Sequence, residues 1–186
     1  MNYSDDSRIL LSGHREGQIS RFRFWVMLAI PLAAILFQVY VPLFFQFLGY
    51  LEMPLLVVVY FALMRRSQVY GLMVGALVGL AQDSLSKNPL GMFGISKTLV
   101  GYFAASVGVR FDVDNVLLRA FLAFFFFVFH QFLYWVMARS LLAQQMTFAI
   151  QRTLILGLLN AIVAVFLFHF LDKLRESDEM RPYQGG

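Results

Sequence analysis

Residues 71–102 read GLMVGALVGLAQDSLSKNPLGMFGISKTLVGY, an apolar segment with regularly spaced glycines, a polar turn and a second apolar segment. Gly71, Gly75 and Gly79 recur every fourth residue, which places them on one face of a helix. A face without side chains lets another backbone approach closely, and this small-residue pattern is typical of packed membrane helices. The stretch therefore predicts two helices joined by a turn, with the glycine face serving helix packing or contact with a partner.

Two charged residues flank the turn in this stretch. Asp83 continues the four-residue spacing of the glycines, and Lys97 follows the turn within the second apolar segment. An isolated ammonium group within a membrane span is costly, so Lys97 is expected either to extend towards the interface or to pair with a carboxylate. Asp83 is the nearest carboxylate along the chain. A buried Asp83–Lys97 ion pair is therefore one of two predicted arrangements.

The composition of the chain is that of a membrane protein. Of its 186 residues, 60% are hydrophobic and only 14% are charged, so too little polar surface exists to coat a soluble domain. Several apolar runs approach the length that crosses a bilayer. We therefore expect an all-α, polytopic membrane helical bundle. The formal net charge of +4 comes from residues between the apolar runs, and nucleic acid is not an expected partner.

Charges and turn residues divide the apolar runs into about six transmembrane helices. The predicted spans cover residues 22–45, 50–64, 69–83, 90–109, 117–138 and 151–171. A helix of some 15 residues covers only about 22 Å, so the second and third spans are short for a hydrocarbon core of about 30 Å. The transmembrane domain is predicted over 21–172, with polar cytoplasmic tails at 1–20 and 173–186. No cleavable signal peptide is expected at the N-terminus.

Basic residues predict the orientation of the chain. With six spans, both termini lie on one side, and that side carries eleven Lys and Arg residues against three on the other. The eleven are Arg8, Arg15, Arg21, Arg23, Arg65, Arg66, Arg110, Arg119, Lys173, Arg175 and Arg181, and the three are Lys87, Arg139 and Arg152. The positive-inside rule then places both termini in the cytoplasm.

The remaining polar residues within the spans favour packing over chemistry. His130, Gln131 and Asn160 are expected to form hydrogen bonds between helices or to line a cavity, because lipid offers them no partner. With no cysteine in the chain, disulfides, thiolate metal sites and a thiol nucleophile are excluded. No metal-binding spacing and no nucleophile motif accompanies the histidines. We expect no catalytic residue, cofactor or metal, and hence no enzyme.

A central region of the sequence, roughly residues 50–105, contains a set of short motifs. They are Pro54, Tyr60-Phe61-Ala62, Arg65-Arg66, the spaced glycines, Gln82-Asp83-Ser84, Pro89-Leu90-Gly91, Lys97-Thr98-Leu99 and Gly101-Tyr102. In these motifs the region resembles the bacterial rod-shape-determining protein family MreD. The turn from Asp83 to Gly91 is the more specific part, whereas the glycine spacing alone recurs in many membrane proteins.

This resemblance implies a non-enzymatic scaffold in the cell-wall elongation machinery of the bacterial inner membrane. The family's partners would be MreC directly, and the MreB filament and peptidoglycan synthases indirectly, with the lipid bilayer and a second copy of the chain as further contacts. It also implies a fold similar to the substrate-binding subunits of energy-coupling-factor transporters. The expected scaffold role, the partners MreC, MreB and synthases, and this fold come from the family, whereas the lipid bilayer is expected from composition and the second copy from the way a scaffold associates.

Two other function classes stay open. A small-molecule binding or transport subunit is suggested by Asp83, Lys97, His130 and Asn160 as potential cavity-lining groups. An intramembrane enzyme ranks last, because the sequence contains no recognisable catalytic set. Co-purification distinguishes a scaffold, which retains a protein partner, from a binding subunit, which retains a small ligand.

Overall fold

The computed structural model describes residues 24–86, 89–111, 113–145 and 147–174, and this part of the chain is helical. The α-helices are α1 (Phe24–Tyr40), α2 (Met53–Arg65), α3 (Gln68–Leu85), α4 (Met92–Arg110), α5 (Val116–Leu141) and α6 (Ile150–Lys173). Two short 3-10 helices, Val41–Leu43 and Gln46–Tyr50, link α1 to α2. Each predicted span coincides with one α-helix, which confirms the all-helical class and the division into six helices.

Helix α2 forms the centre of the bundle. All its residues from Pro54 to Met64 are buried, because its sequence is apolar around the whole circumference. It contacts each of the other five α-helices. Proline near its start is compatible with the first helical turn, where the backbone N–H has no partner within the helix. The helix that looked too short for the bilayer is therefore enclosed by its neighbours.

Five helical segments are long and apolar enough to cross a membrane. They are Trp25–Leu43, Gln46–Arg65, Met92–Arg110, Val116–Leu141 and Ile150–Lys173. The second joins the 3-10 helix before α2 to α2 itself, which lengthens the segment to 20 residues. Helix α3 is not among the five, although its 18 residues would extend about 27 Å. Its glycines and its polar end lower its hydropathy, so a sixth crossing stays a prediction.

Local signals account for the turns between the helices. Arg66 adopts a left-handed conformation, with φ of 51°, and ends α2. The hydroxyl of Ser67 then accepts a hydrogen bond from the backbone N–H of Tyr70 and caps α3. Asn115 caps α5 in the same way, through the backbone N–H of Leu117 at 2.8 Å. Each of these two turns leads directly into the next helix.

The predicted tails lie almost entirely outside the described residues. Of the tail at 1–20 nothing is described, and of 173–186 only Lys173, the last residue of α6, and Leu174 are described. The cytoplasmic position of both tails stays a prediction.

Candidate functional site

The glycine face of α3 packs against α4 within the same chain. A Cβ atom added to Gly71 would overlap the carbonyl group of Gly101, and one added to Gly75 would lie 2.7 Å from the carbonyl carbon of Lys97. At Gly79 the obstruction is the backbone of Phe93. The three glycines therefore allow two helical backbones to touch, and α3 and α4 form the most extensive helix pair of the bundle. Of the two predicted uses of this face, the structure shows internal packing.

Asp83, at the end of the glycine face, holds the start of α4. Its buried carboxylate accepts hydrogen bonds from the backbone N–H groups of Gly91 at 2.9 Å, Phe93 at 3.1 Å and Gly94 at 2.9 Å. Gly91 has a φ of 97°, a conformation that favours glycine. A carboxylate in this position also complements the positive end of the helix dipole. Asp83 is thus a cap that joins α3 to α4.

Lys97 has a different partner from the one that the sequence suggested. Its fully buried ammonium nitrogen lies 3.5 Å from Oε2 of Glu52 and 4.3 Å from the centroid of the Phe93 ring. Among the described residues no ion pair joins Lys97 to Asp83, whose oxygens accept the three backbone bonds. The expected Asp83–Lys97 pair is replaced by Glu52–Lys97 because Glu52, the N-cap residue of α2, lies inside the bundle.

His130 completes this buried group. Its Nε2 atom lies 3.4 Å from the ammonium nitrogen of Lys97, and its ring stacks on Phe93 with centroids 5.9 Å apart. His130 belongs to α5 and Lys97 to α4, so the contact is an interhelical polar contact of the kind predicted for His130. We call Glu52, Lys97 and His130 the buried charged cluster. It brings together α2, α4 and α5.

Asn160 positions Glu52 within the bundle. The Asn160 side chain donates to the carbonyl groups of Tyr50 at 3.0 Å and Leu156 at 2.9 Å, and it accepts from the backbone N–H of Glu52 at 2.9 Å. The start of α2 is thereby fixed beside the middle of α6, at a depth where non-helical backbone must be satisfied by protein. The polar contact that was predicted for Asn160 is therefore a set of hydrogen bonds from α6 to the link before α2.

An open cavity of about 360 Å³ adjoins the buried charged cluster. Its lining residues come from the link before α2, from α5, and from the loop and first turns of α6. They are Gly49, Tyr50, Glu52, Phe127, Gln131, Tyr134, Trp135, Thr147, Phe148, Ala149, Arg152, Thr153 and Leu156. Glu52 and Phe127 form its interior, whereas Thr147 and Arg152 are exposed at its opening. Gln131, one of the predicted polar contacts, lines this cavity.

A second polar network closes the opposite end of the bundle. The guanidinium group of Arg119 is paired with Asp172 and lies 3.3 Å from a carboxylate oxygen of Asp114. It also donates to the carbonyl group of Val113. The Tyr60 hydroxyl donates to the other oxygen of Asp172 at 2.9 Å. This network joins α2, α5 and α6 at the end where the structure places Arg65 and Arg110.

Sequence reasoning missed Glu52 and the Arg119–Asp172 pair. A signal for Glu52 was present, because it is the one acidic residue between Glu16 and Asp83 and it adjoins an apolar span. For Arg119 and Asp172 the signal was a pair of opposite charges near the ends of two predicted spans that face the same side of the membrane. Within the described part of the chain, no group of three His, Asp or Glu side chains lies close enough to hold a metal ion.

The fold and site define a class of multi-pass helical membrane proteins whose polar side chains join helices and line one cavity. A family model described as rod shape-determining protein MreD matches residues 19–175, so the chain belongs to the MreD family. This family consists of non-catalytic membrane proteins of cell-shape determination. Comparison with curated proteins and with solved structures gave no significant match. The expected likeness to energy-coupling-factor substrate-binding subunits therefore stays a prediction.

Proposed function

We propose that this chain is a scaffold subunit of the cell-wall elongation complex, which binds MreC and connects the MreB filament to peptidoglycan synthases. The observation that carries the proposal is the family match over residues 19–175, because it implies a role in rod-shape determination. A scaffold needs a stable bundle and a free surface for its partners. The described residues form a packed bundle and leave an apolar surface free.

The stability of the bundle comes from polar contacts at both ends and from close packing between them. The buried charged cluster and the Asp83 cap tie α2, α3, α4 and α5 together on one side. The Arg119–Asp172 pair joins α5 and α6 at the other end. Each of these contacts links different helices, so the bundle is held together at both of its ends.

The free surface includes most of α1. Only 11% of its apolar segment is buried inside the chain. Leu28, Leu32 and Leu36 recur every fourth residue and are 57%, 52% and 41% exposed. This apolar stripe suits lipid or the transmembrane helix of a bitopic partner, and it gives MreC or a second copy of the chain a surface to pack against.

The proposed orientation has six crossings and both termini in the cytoplasm. It rests on the excess of Lys and Arg at the end of the bundle that carries Arg65, Arg66 and Arg110. In this orientation the cavity opens towards the outer leaflet.

Co-purification from the membrane of a rod-shaped bacterium tests the proposed scaffold role. Full-length tagged protein should recover MreC in stoichiometric amount, together with smaller amounts of MreB and peptidoglycan synthases. A preparation that recovers no MreC but retains a stoichiometric water-soluble ligand would favour the second candidate, a small-molecule binding or transport subunit. The observation that favours this second candidate is the cavity of about 360 Å³. Its volume lies at the lower end of the range that is typical of pockets for small molecules.

A further inference from the structure

The cavity beside the buried charged cluster carries an unbalanced positive charge. Lys97 neutralises Glu52 at its inner end, at a distance of 3.5 Å. Arg152, at its opening, is exposed and has no acidic partner among the described residues. Its guanidinium carbon lies 5.5 Å from the centroid of the Tyr50 ring, which holds the side chain over the cavity. An anionic group at the opening would find there a guanidinium that no described acidic residue pairs with, and a phosphate matches the geometry of that group well.

The surface next to Arg152 is largely apolar and exposed. A shallow groove along the first turns of α6 is lined by Ala149, Ile150, Gln151, Arg152, Ile155 and Leu156. Ile150 is 62% exposed and Ile155 59% exposed. The groove shares Ala149, Arg152 and Leu156 with the cavity. A molecule that extends from the cavity into the groove would suit both surfaces if it had a polar headgroup and an apolar chain. Its anionic group would then lie at Arg152.

The interior of the cavity offers hydrogen-bond acceptors to such a head. Lys97 contacts Oε2 of Glu52, so the carboxylate keeps acceptor capacity towards the cavity, and the side chain is 13% exposed. The amide of Gln131 and the hydroxyl of Tyr134 line the same space. Tyr50, Trp135 and Phe148 supply aromatic faces, which pack against the carbon–hydrogen groups of any of these headgroups.

We propose that this cavity binds the headgroup of a membrane phospholipid, with the phosphate at Arg152, a hydrogen-bond-donating headgroup towards Glu52, and an acyl chain along the groove on α6. Phosphatidylethanolamine and phosphatidylglycerol both carry such a donor. Phosphatidylcholine has the same phosphate but no donor on its headgroup, so it is the matched control lipid. The proposal holds whether the chain acts as a scaffold or as a binding subunit.

Native mass spectrometry of the full-length protein tests the proposal. Detergent-solubilised protein is incubated with equal amounts of the three lipids at matched acyl chains. We expect one molecule of phosphatidylethanolamine or phosphatidylglycerol to be retained about tenfold more than phosphatidylcholine, the effect of one charged hydrogen bond. Equal retention of all three lipids by the wild-type protein would show a non-selective lipid shell and overturn the proposal.

Two variants locate the binding site. Arg152→Gln should reduce retention about tenfold, because it removes the charge that holds the phosphate. Arg139→Gln is the matched control, since Arg139 is also exposed near Trp135 but does not line the cavity. Thr153→Trp should exclude the lipid by filling the space while Arg152 remains. Unchanged retention in both Arg152→Gln and Thr153→Trp would contradict the assigned position.

Crosslinking in cells tests the occupant directly. A photoreactive benzoylphenylalanine at Thr147, at the opening, should form an adduct with phospholipid. An adduct with a polypeptide in its place would show that a protein segment occupies the cavity, and would overturn the proposal.

Discussion

The ammonium nitrogen of Lys97 and Oε2 of Glu52 lie 3.5 Å apart within the bundle, where α4 meets the start of α2. Lys97 is fully buried, and the Glu52 side chain is 13% exposed. Lys97 is enclosed by protein and Glu52 faces only the cavity, so each charge depends on the other for much of its compensation. The pair is therefore a structural contact. Removing one member leaves the charge of the other member without compensation inside the bundle.

Removing one member of this pair should destabilise the protein more than removing both. Lys97→Met leaves the Glu52 carboxylate buried without a cation and should cost about 3 kcal/mol. The double variant with Glu52→Gln should recover part of that loss. Thermal unfolding in a fixed detergent measures both. Equal or greater loss in the double variant would contradict the pair.

The cap formed by Asp83 should depend only weakly on Lys97, because no ion pair joins these two side chains among the described residues. Asp83→Ala removes three hydrogen bonds at the start of α4, one of them buried and two partly buried, and should cost about 3 kcal/mol. Combined with Lys97→Met, the losses should add. Ser84→Ala, at an exposed neighbouring position, is the matched control and should have little effect. A partial rescue of Asp83→Ala by Lys97→Met would instead support a direct Asp83–Lys97 pair.

Adding bulk to the glycine face should separate α3 from α4. Gly75→Leu places a side chain against the backbone of Lys97 and should lower the unfolding free energy by about 3 kcal/mol or prevent folding. Leu77→Phe adds bulk to the same helix at a position that is 66% exposed, and it should be tolerated. Comparable thermal stability of the two variants would show that the face does not pack internally.

The link before α2 should depend on Asn160. Asn160→Leu keeps the volume but removes the bonds to Tyr50, Glu52 and Leu156, so a loss of about 2–3 kcal/mol is expected. Because the link then becomes mobile, hydrogen exchange at the Glu52 amide should accelerate. Unchanged exchange at that amide, with the protein folded, would rule out this role.

Much of the architecture could be predicted from the sequence. The apolar runs, divided by their charges and turns, placed all six helices with ends within a few residues of those in the structure, because each helix in lipid must satisfy its own backbone. The four-residue spacing of Gly71, Gly75 and Gly79 predicted a face for helix packing or for a partner, and this face lies against α4. These features depend on local sequence alone.

The partner of Lys97 could not be predicted in the same way. Asp83 was nearest along the chain, but its oxygens are used by the backbone of α4. Glu52 reaches Lys97 because a 3-10 helix and the Asn160 side chain fix the start of α2 beside the middle of α6. That depth results from contacts between segments far apart in sequence. The cavity depends on the same contacts, since Glu52 and Arg152 are brought together only by the fold.

The orientation of the chain can be measured directly because it contains no cysteine. Single cysteines at Ser67 and Thr147 lie in turns at opposite ends of the bundle. In intact cells a membrane-impermeant thiol reagent should label Thr147→Cys and leave Ser67→Cys unlabelled until the cells are opened. The reverse pattern would place the termini outside the cell.

Depletion of this protein in a rod-shaped host tests the proposed role in wall elongation most directly. We expect cells to lose their rod shape and lateral incorporation of peptidoglycan to stop, with both restored by the wild-type chain. Depleted cells that stay rods with unchanged wall synthesis would contradict the proposed function.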